Sequence, residues 1–215
     1  MHKGQIIRLL VLATLLSSAG CNKKPVNEIE FGTVENCVYQ NSYFPLSIML
    51  PMEWSVHDLE SRQHIMEVGN QILAGEDKNL KTIVKASSLN TVYLLSASKY
   101  PIGAPVPSNP TLQCIAEKIR HMPGIQTGKD YLFHLRKVLE SGQMDITFPY
   151  EVASKSIGGK DFDLLQTEIS MRGITIRQKI YATVIKGYAL LITESFATDD
   201  ESDEIGSILN TLTFK

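Results

Sequence analysis

The sequence predicts an α+β fold: an antiparallel β-sheet with helices packed on it, preceded by a signal peptide. Three observations predict it. The last third of the chain reads as strands broken by glycine turns at Gly158-Gly159, Gly173 and Gly187. The helical stretches set apolar residues at helical spacing behind capping residues. The order of elements (two strands, helices, a strand, helices, four strands, a helix) contains no repeating βαβ unit. Composition agrees. The 215 residues are 43% hydrophobic and 20% charged, with a net charge of −2, which is a globular balance and not a disordered one. With 21 basic against 23 acidic residues, no cationic excess exists to neutralise phosphates. That excludes a nucleic-acid binder of the electrostatic kind.

The chain opens on a targeting segment, residues 1–20. Lys3 and Arg8 make a positive start, and Leu9 to Leu16 is apolar. That stretch is too short for a membrane-spanning helix of about 20 residues. The small residues Ser17-Ser18-Ala19-Gly20 then precede Cys21. This is the plan of a secretory signal peptide. The Cys directly after Ala-Gly resembles the lipobox of bacterial lipoproteins, with Ser18 where Leu is usual. The resemblance implies a diacylglycerol on the Cys21 thiol, cleavage just before it, and a further amide-linked chain such as palmitate. Each buried CH₂ contributes about 0.8 kcal/mol, so three chains anchor stably. Cleavage takes Lys3 and Arg8 from the 21 basic residues and none of the 23 acidic ones, leaving 19 against 23, or −4. The membrane is therefore met through lipid and not through a basic patch, since Lys23 and Lys24 add only about 1 kcal/mol each. Asn22 stands where enteric bacteria use Asp to retain a lipoprotein in the inner membrane, which favours the outer membrane in an organism with two. The expected address is the cell envelope, facing the periplasm or the exterior. Residues 21–31, the lipidated Cys and a polar tether, lead into one domain over 32–215.

Within that domain, Thr33 to Tyr39 reads as a strand with a turn at Gln40-Asn41-Ser42. Phe44, Leu46, Ile48 and Leu50 alternate with Pro45, Ser47 and Met49, the period of a half-buried strand. Pro51 ends it, and Trp54 follows. Asp58 opens a helix to Ala74, broken by Gly75-Glu76-Asp77, and a shorter helical piece spans Asn79 to Lys85. Thr91 to Ser98 is a strand by its β-branched and aromatic start. Residues 100–110 hold four prolines and a glycine and form a long loop. Asn109-Pro110 reads as a helix start, with Leu112, Ile115, Ala116 and Ile119 at helical spacing. Thr127 to Asp130 is a second, capping-box-like start, and Gly142 lies past that helix's end.

Four strands follow: Tyr150 to Ser156, Phe162 to Met171, Ile174 to Val184 and Tyr188 to Phe196. On the third, Ile174, Ile176, Ile180, Ala182 and Val184 share one face. Thr175, Arg177, Lys179, Tyr181 and Thr183 share the other, and the charge there predicts solvent or only partial cover. Thr198-Asp-Asp-Glu201 is a capping box with acids on the positive end of the helix dipole. Ile205, Ile208, Leu209 and Leu212 form that last helix's apolar stripe.

Two cysteines remain for an oxidising compartment, Cys37 and Cys114. They permit one disulfide closing a loop of about 77 residues, worth about 4 kcal/mol. The alternative is two small buried apolar residues.

Two stretches carry a family resemblance. One is Val38-Tyr39-Gln40-Asn41 through Tyr43-Phe44-Pro45-Leu46 to Leu50-Pro51 and Trp54. The other runs from Tyr181 through Ile185-Lys186-Gly187-Tyr188-Ala189-Leu190 and Phe196 to Ile208-Leu209, Leu212 and Phe214. Together they resemble the PsbP/DcrB-type lipoproteins and secreted proteins over most of residues 33–215, with departures in 75–147. The resemblance implies a PsbP-like α/β/α sandwich around an antiparallel sheet. It implies no catalytic motif, because relatives of this fold act as extrinsic subunits of membrane complexes or as chaperones. Function by fold alone is analogy.

The residues offer little chemistry of their own. His57, His64, His121 and His134 lack the carboxylate partners and spacing of a metal site. Gly158-Gly159-Lys160 lacks the spacing and the hydroxyl of a P-loop, and no nucleophile elbow occurs. The acids at 199–204 lack the EF-hand glycine and suit a solvated helix start. Trp54 suits the core. The loop at 100–110 is the most site-like segment. No catalytic residue, metal ligand or cofactor is expected. The leading expectation is a lipid-anchored, non-catalytic binding or accessory module of the envelope, with a protein partner there. A small-ligand carrier for a lipid or metabolite is the alternative, and a hydrolase the second alternative.

Overall fold

A computed structural model of the chain describes residues 29–171 and 173–215. The expected signal peptide, Cys21 and most of the expected tether lie outside these residues. The N-terminal stretch forms β1 (Thr33–Glu35), β2 (Val38–Asn41), β3 (Leu46–Met49) and β4 (Ser55–Val56). Next come α1 (Leu59–Ala74), α2 (Lys78–Asn90), β5 (Thr91–Ser98), β6 (Thr111–Lys118) and α3 (Gly128–Glu140). The remainder is β7 (Asp145–Thr147), β8 (Ala153–Ile157), β9 (Lys160–Met171), β10 (Ile174–Ile185), β11 (Tyr188–Phe196), α4 (Asp199–Leu209) and β12 (Thr213–Phe214).

The strands form two sheets, paired antiparallel throughout the described residues. The smaller runs β1-β2-β3-β12, and the larger β4-β5-β6-β11-β10-β9-β7, with β8 also on β9. One face of the large sheet carries Leu112, Cys114, Ala116, Tyr181, Leu190, Ile192 and Phe196. It packs on the small sheet's Tyr39, Leu46 and Ile48, on Phe44, and on Ile205, Ile208 and Leu209 of α4. The opposite face packs Leu165, Ile180, Ala182, Ala189 and Leu191 against Tyr131 and Leu132 of α3. The result is an α+β antiparallel sandwich with helices on the sheet, as the sequence predicts.

Several elements differ from expectation. The helix read from Asn109-Pro110 is strand β6. Asn109 does not cap a helix: its side-chain oxygen accepts from the Tyr100 amide at 3.0 Å and its amide donates to the Tyr100 carbonyl at 2.8 Å. Leu112, Cys114 and Ala116 are buried on one side while Thr111, Gln113 and Ile115 face the other. Ile115 on the more polar side blurred the alternation and mimicked helical spacing. The single strand at 33–39 is a hairpin, β1 and β2, turning at Asn36 and Cys37 with φ of 50° and 63°. α2 runs well past Lys85, and β8 starts later than Tyr150.

The charged face of β10 is partly covered, as expected. Arg177 pairs with Asp199 of α4 at 2.8 Å, and Lys179 donates to Ser202 Oγ at 2.8 Å. The acids at the start of α4 thus complement cations on the strand beneath.

Candidate functional site

The helical hairpin α1–α2 does not lie flat on the sheet. Asp58 and Asp77 cap its two helices, accepting from the amides of Ser61 and Leu80. Near the start of α1, the Arg62 guanidinium donates to the carbonyls of Tyr93 (2.8 Å) and Leu94 on β5. At the hairpin tip, Leu73, Ala74 and Leu80 are buried with Val138, Leu139 and Met144. The Gln143 amide there donates to the Leu73 carbonyl at 2.9 Å. The turn needs Gly75: its φ is +50° and a Cβ would strike Gln143. These three residues are the only buried ones of the hairpin. Between its two attachments Ile65, Met66, Ile72 and Ile83 look onto a cavity of about 820 Å³. That lies within the range of small-molecule sites, about 300–1,000 Å³.

The sheet supplies the floor in cross-strand rungs. Ser98, Thr111, Ser195 and Gln178 are successive register partners across β5, β6, β11 and β10. The next rung is Ser96, Gln113, Thr193 and Ile180, and the one beyond it runs through Tyr93, Ile115 and Leu191. A register shift between Tyr93 and Leu95 in β5 lets both Tyr93 and Ser96 lie on this face. The floor therefore passes from uncharged polar to apolar within three rungs. Leu135, Val138 and Leu139 of α3 form a wall.

The buried titratable groups of the groove are engaged. Glu117, 8% exposed, accepts from the Tyr131 hydroxyl at 2.6 Å. Burial, then the Glu117 charge, pushes the Tyr131 hydroxyl well above its ordinary range. His57 lies between Ser96 Oγ (Nδ1, 3.0 Å) and Ser98 Oγ (Nε2, 2.8 Å). Ser98 donates its own proton to the Tyr100 carbonyl at 2.7 Å, so it can only accept from the ring. Nε2–H is then the donor and Nδ1 accepts from Ser96. Burial, and secondarily the Arg62 charge, lowers the His57 pKa, which keeps the ring neutral. Ser98 thus has no base aimed at its proton, and Ser96, which does donate to His57, is 2% exposed and does not line the groove. His64, His121 and His134 are exposed, the last two at the groove's rim. No cluster of three or more His, Cys, Asp or Glu able to hold a metal ion occurs among the described residues.

The other residues singled out in the sequence go elsewhere. Cys21 is outside the described residues. Cys37 is half-buried in the β1–β2 turn and Cys114 is buried in the main core; both thiols are free. Burial pushes the Cys114 thiol up to about 12. Trp54 is core, its indole donating to Glu204 at 3.0 Å. Three of the acids of α4 are committed: Glu201 closes the capping box and accepts from Ser108, Glu204 pairs with Lys99, and Asp199 with Arg177. Gly158-Gly159 turns from β8 to β9. The loop at 100–110 borders the groove through Ile102, Gly103 and Asn109. A pocket between sheet and helices is what the small-ligand-carrier alternative expects, but the sequence does not tell which residues line it. Its only sequence signal is the run of uncharged polar residues on strands otherwise fit for burial on both faces.

Architecture and groove together define a PsbP-like α+β fold with an open cleft on one face of its large sheet. The solved structures it resembles include cyanobacterial PsbP from Synechocystis, 11% identical, with 83% of this chain and 91% of that one covered at a TM-score of 0.50. A Pseudomonas aeruginosa protein of unknown function is 14% identical, with 54% and 81% covered and a TM-score of 0.41. LpqN of Mycobacterium tuberculosis, described as involved in cell envelope biogenesis, is 14% identical, with 79% and 83% covered and a TM-score of 0.39. No protein-family model and no curated protein sequence matches the chain.

Proposed function

We propose that the chain is a non-catalytic binding module of the cell envelope, held to the membrane by lipid on Cys21, and that the groove under α1–α2 is where it binds. The groove carries this reading. Its walls are apolar, its floor is half polar, and its buried charged or titratable side chains Glu117 and His57 are already paired within the protein. A preformed concave site with a few polar groups is the usual form of a small-ligand site. Function here is a matter of occupancy, with the lipid and tether fixing where it happens.

Two measurements test it. The dye N-phenylnaphthylamine should bind the purified chain saturably, and Gly69→Phe should abolish that binding. Gly69 lines the groove from α1, and a Cβ added there meets nothing within 4 Å, so the ring enters the cavity without a clash at its root. Absence of saturable binding to the unaltered chain overturns the groove as a site. In cells, an acyl-chain analogue should label the chain and not Cys21→Ala; equal labelling overturns the anchor.

A further inference from the structure

We propose that the groove selects an amphiphile with an uncharged, hydroxyl- or amide-bearing head and a single apolar chain. This rests on the groove being a binding site. The head lies over the rungs Ser98–Thr111–Ser195–Gln178 and Gln113–Thr193. The chain runs along Ile115, Leu191 and Ile180 beneath the apolar side of the hairpin.

The charge of the groove carries the selection. No lysine or arginine lines it among the described residues. The nearest guanidinium to its base, Arg62, is spent on the carbonyls of Tyr93 and Leu94. The groove's one carboxyl, Glu117, is buried and held by Tyr131. An anionic head, phosphate or carboxylate, would leave water for a floor with no lysine or arginine to pair with it and an acid nearby, the exposed His121 and His134 standing only at the rim. Burying an unpaired charge is among the costliest steps available to a ligand. A cationic head would have only Glu117, at the end of the floor away from the polar rungs.

The polar rungs supply what a neutral head needs. Gln113 and Thr193 are direct register partners on adjacent central strands. Both are half-buried, and neither side chain has a hydrogen-bond partner among the described residues. Both face the open groove, so their amide and hydroxyl are free to bond a ligand. Gln178 donates to Ser195 Oγ at 3.0 Å, which leaves the Gln178 carbonyl and the Ser195 proton for a ligand. Together these offer donors and acceptors in one plane, the pattern that recognises hydroxyls or amides. The apolar half of the floor offers no such groups and suits a hydrocarbon chain.

The test is competition against the bound dye, at ligand concentrations below micelle formation and at pH 8. Monolaurin and laurate share a chain and differ in head charge. Monolaurin should displace the dye at about tenfold lower concentration than laurate. The double variant Gln113→Leu/Thr193→Val should keep dye binding and erase that preference. Laurate competing as well as monolaurin, or a preference unchanged in the double variant, overturns the inference while the groove stands as a site. Dye binding that disappears as protein concentration rises would mean a second copy fills the groove, which also overturns it. Failure of the dye to bind at all would sink the broader reading instead.

Discussion

The two faces of the large sheet are built from the same strands and have opposite fates. On β6, Leu112, Cys114 and Ala116 go into the main core, while Thr111, Gln113 and Ile115 line the groove. On β11, Leu190 and Ile192 go one way and Thr193 and Ser195 the other. One face is closed by close-packed side chains from a second sheet and α4. The other packs on α3 over part of its area and is bridged over the rest by a helical hairpin fastened at its ends. Stability should therefore concentrate on the first face and ligand selection on the second.

The sharpest way to break that contrast is a pair of substitutions three residues apart on β11. Leu190 is fully buried, and Leu190→Ala should cost about 3–4 kcal/mol through lost burial and a residual cavity. Thr193→Val on the groove face should change stability by no more than about 0.5 kcal/mol. Urea unfolding of both variants checks this; equal losses would mean that the groove face is also core.

The sequence made the closed face legible and left the open one hidden. The hairpins of β9, β10 and β11 announce themselves through turn glycines at 173 and 187, both with φ near 80°. The helices α3 and α4 announce themselves through capping boxes at Thr127–Asp130 and Thr198–Glu201. Such signals are local, so one sequence suffices to read them. The groove is not local. Gln113 and Thr193 lie eighty residues apart and meet only through strand pairing. The apolar residues of α1 and α2 read as an ordinary core stripe, yet Ile72 and Ile83 remain 45% and 50% exposed. Nothing in helical spacing distinguishes a stripe that packs from one that roofs a cavity. The misreading of β6 has the same origin: a strand facing core on one side and cleft on the other shows no clean alternation.

The closed face also holds a buried charge that makes it pH-sensitive. Glu194 is 1% exposed; the Tyr181 hydroxyl donates to it at 3.2 Å, and Lys179 lies 3.4 Å away. Burial raises its pKa, opposed by the Lys179 charge. A carboxyl whose folded pKa is raised favours folding when protonated, below its unfolded pKa. That contribution is lost as pH rises through the folded pKa. The Glu194 contribution should therefore decline from the ordinary glutamate range upward, and Glu194→Gln should remove that component from the pH dependence of the unaltered chain. Denaturation midpoints from pH 4 to pH 8 for the two chains decide it; parallel curves would refute the assignment.

The two cysteines report the same contrast by rate. A maleimide should label Cys37 in its half-buried turn while Cys114, buried and with its thiol held near 12, waits for unfolding. Two thiols should appear on denaturation without reductant. Finding none would show that the chain isolated from an oxidising compartment carries the bridge, with a rearranged β1–β2 turn.

The smallest expected effect discriminates best, because it has the opposite sign on stability and binding. Gly69 sits inside α1, where glycine costs up to about 1 kcal/mol relative to alanine. Phe is a better helix former than Gly, and the position is open. Gly69→Phe should therefore raise the unfolding free energy by about 0.5 kcal/mol while it fills the cavity and removes dye binding. A substitution on the closed face cannot do this, since added volume there meets packed side chains and costs stability. If Gly69→Phe lost stability together with binding, the hairpin would be packed on the sheet and the two faces would not differ in kind. If it gained stability and kept binding, the ligand would lie elsewhere along the floor. Gain with loss is the outcome that only a roofed, unfilled groove produces.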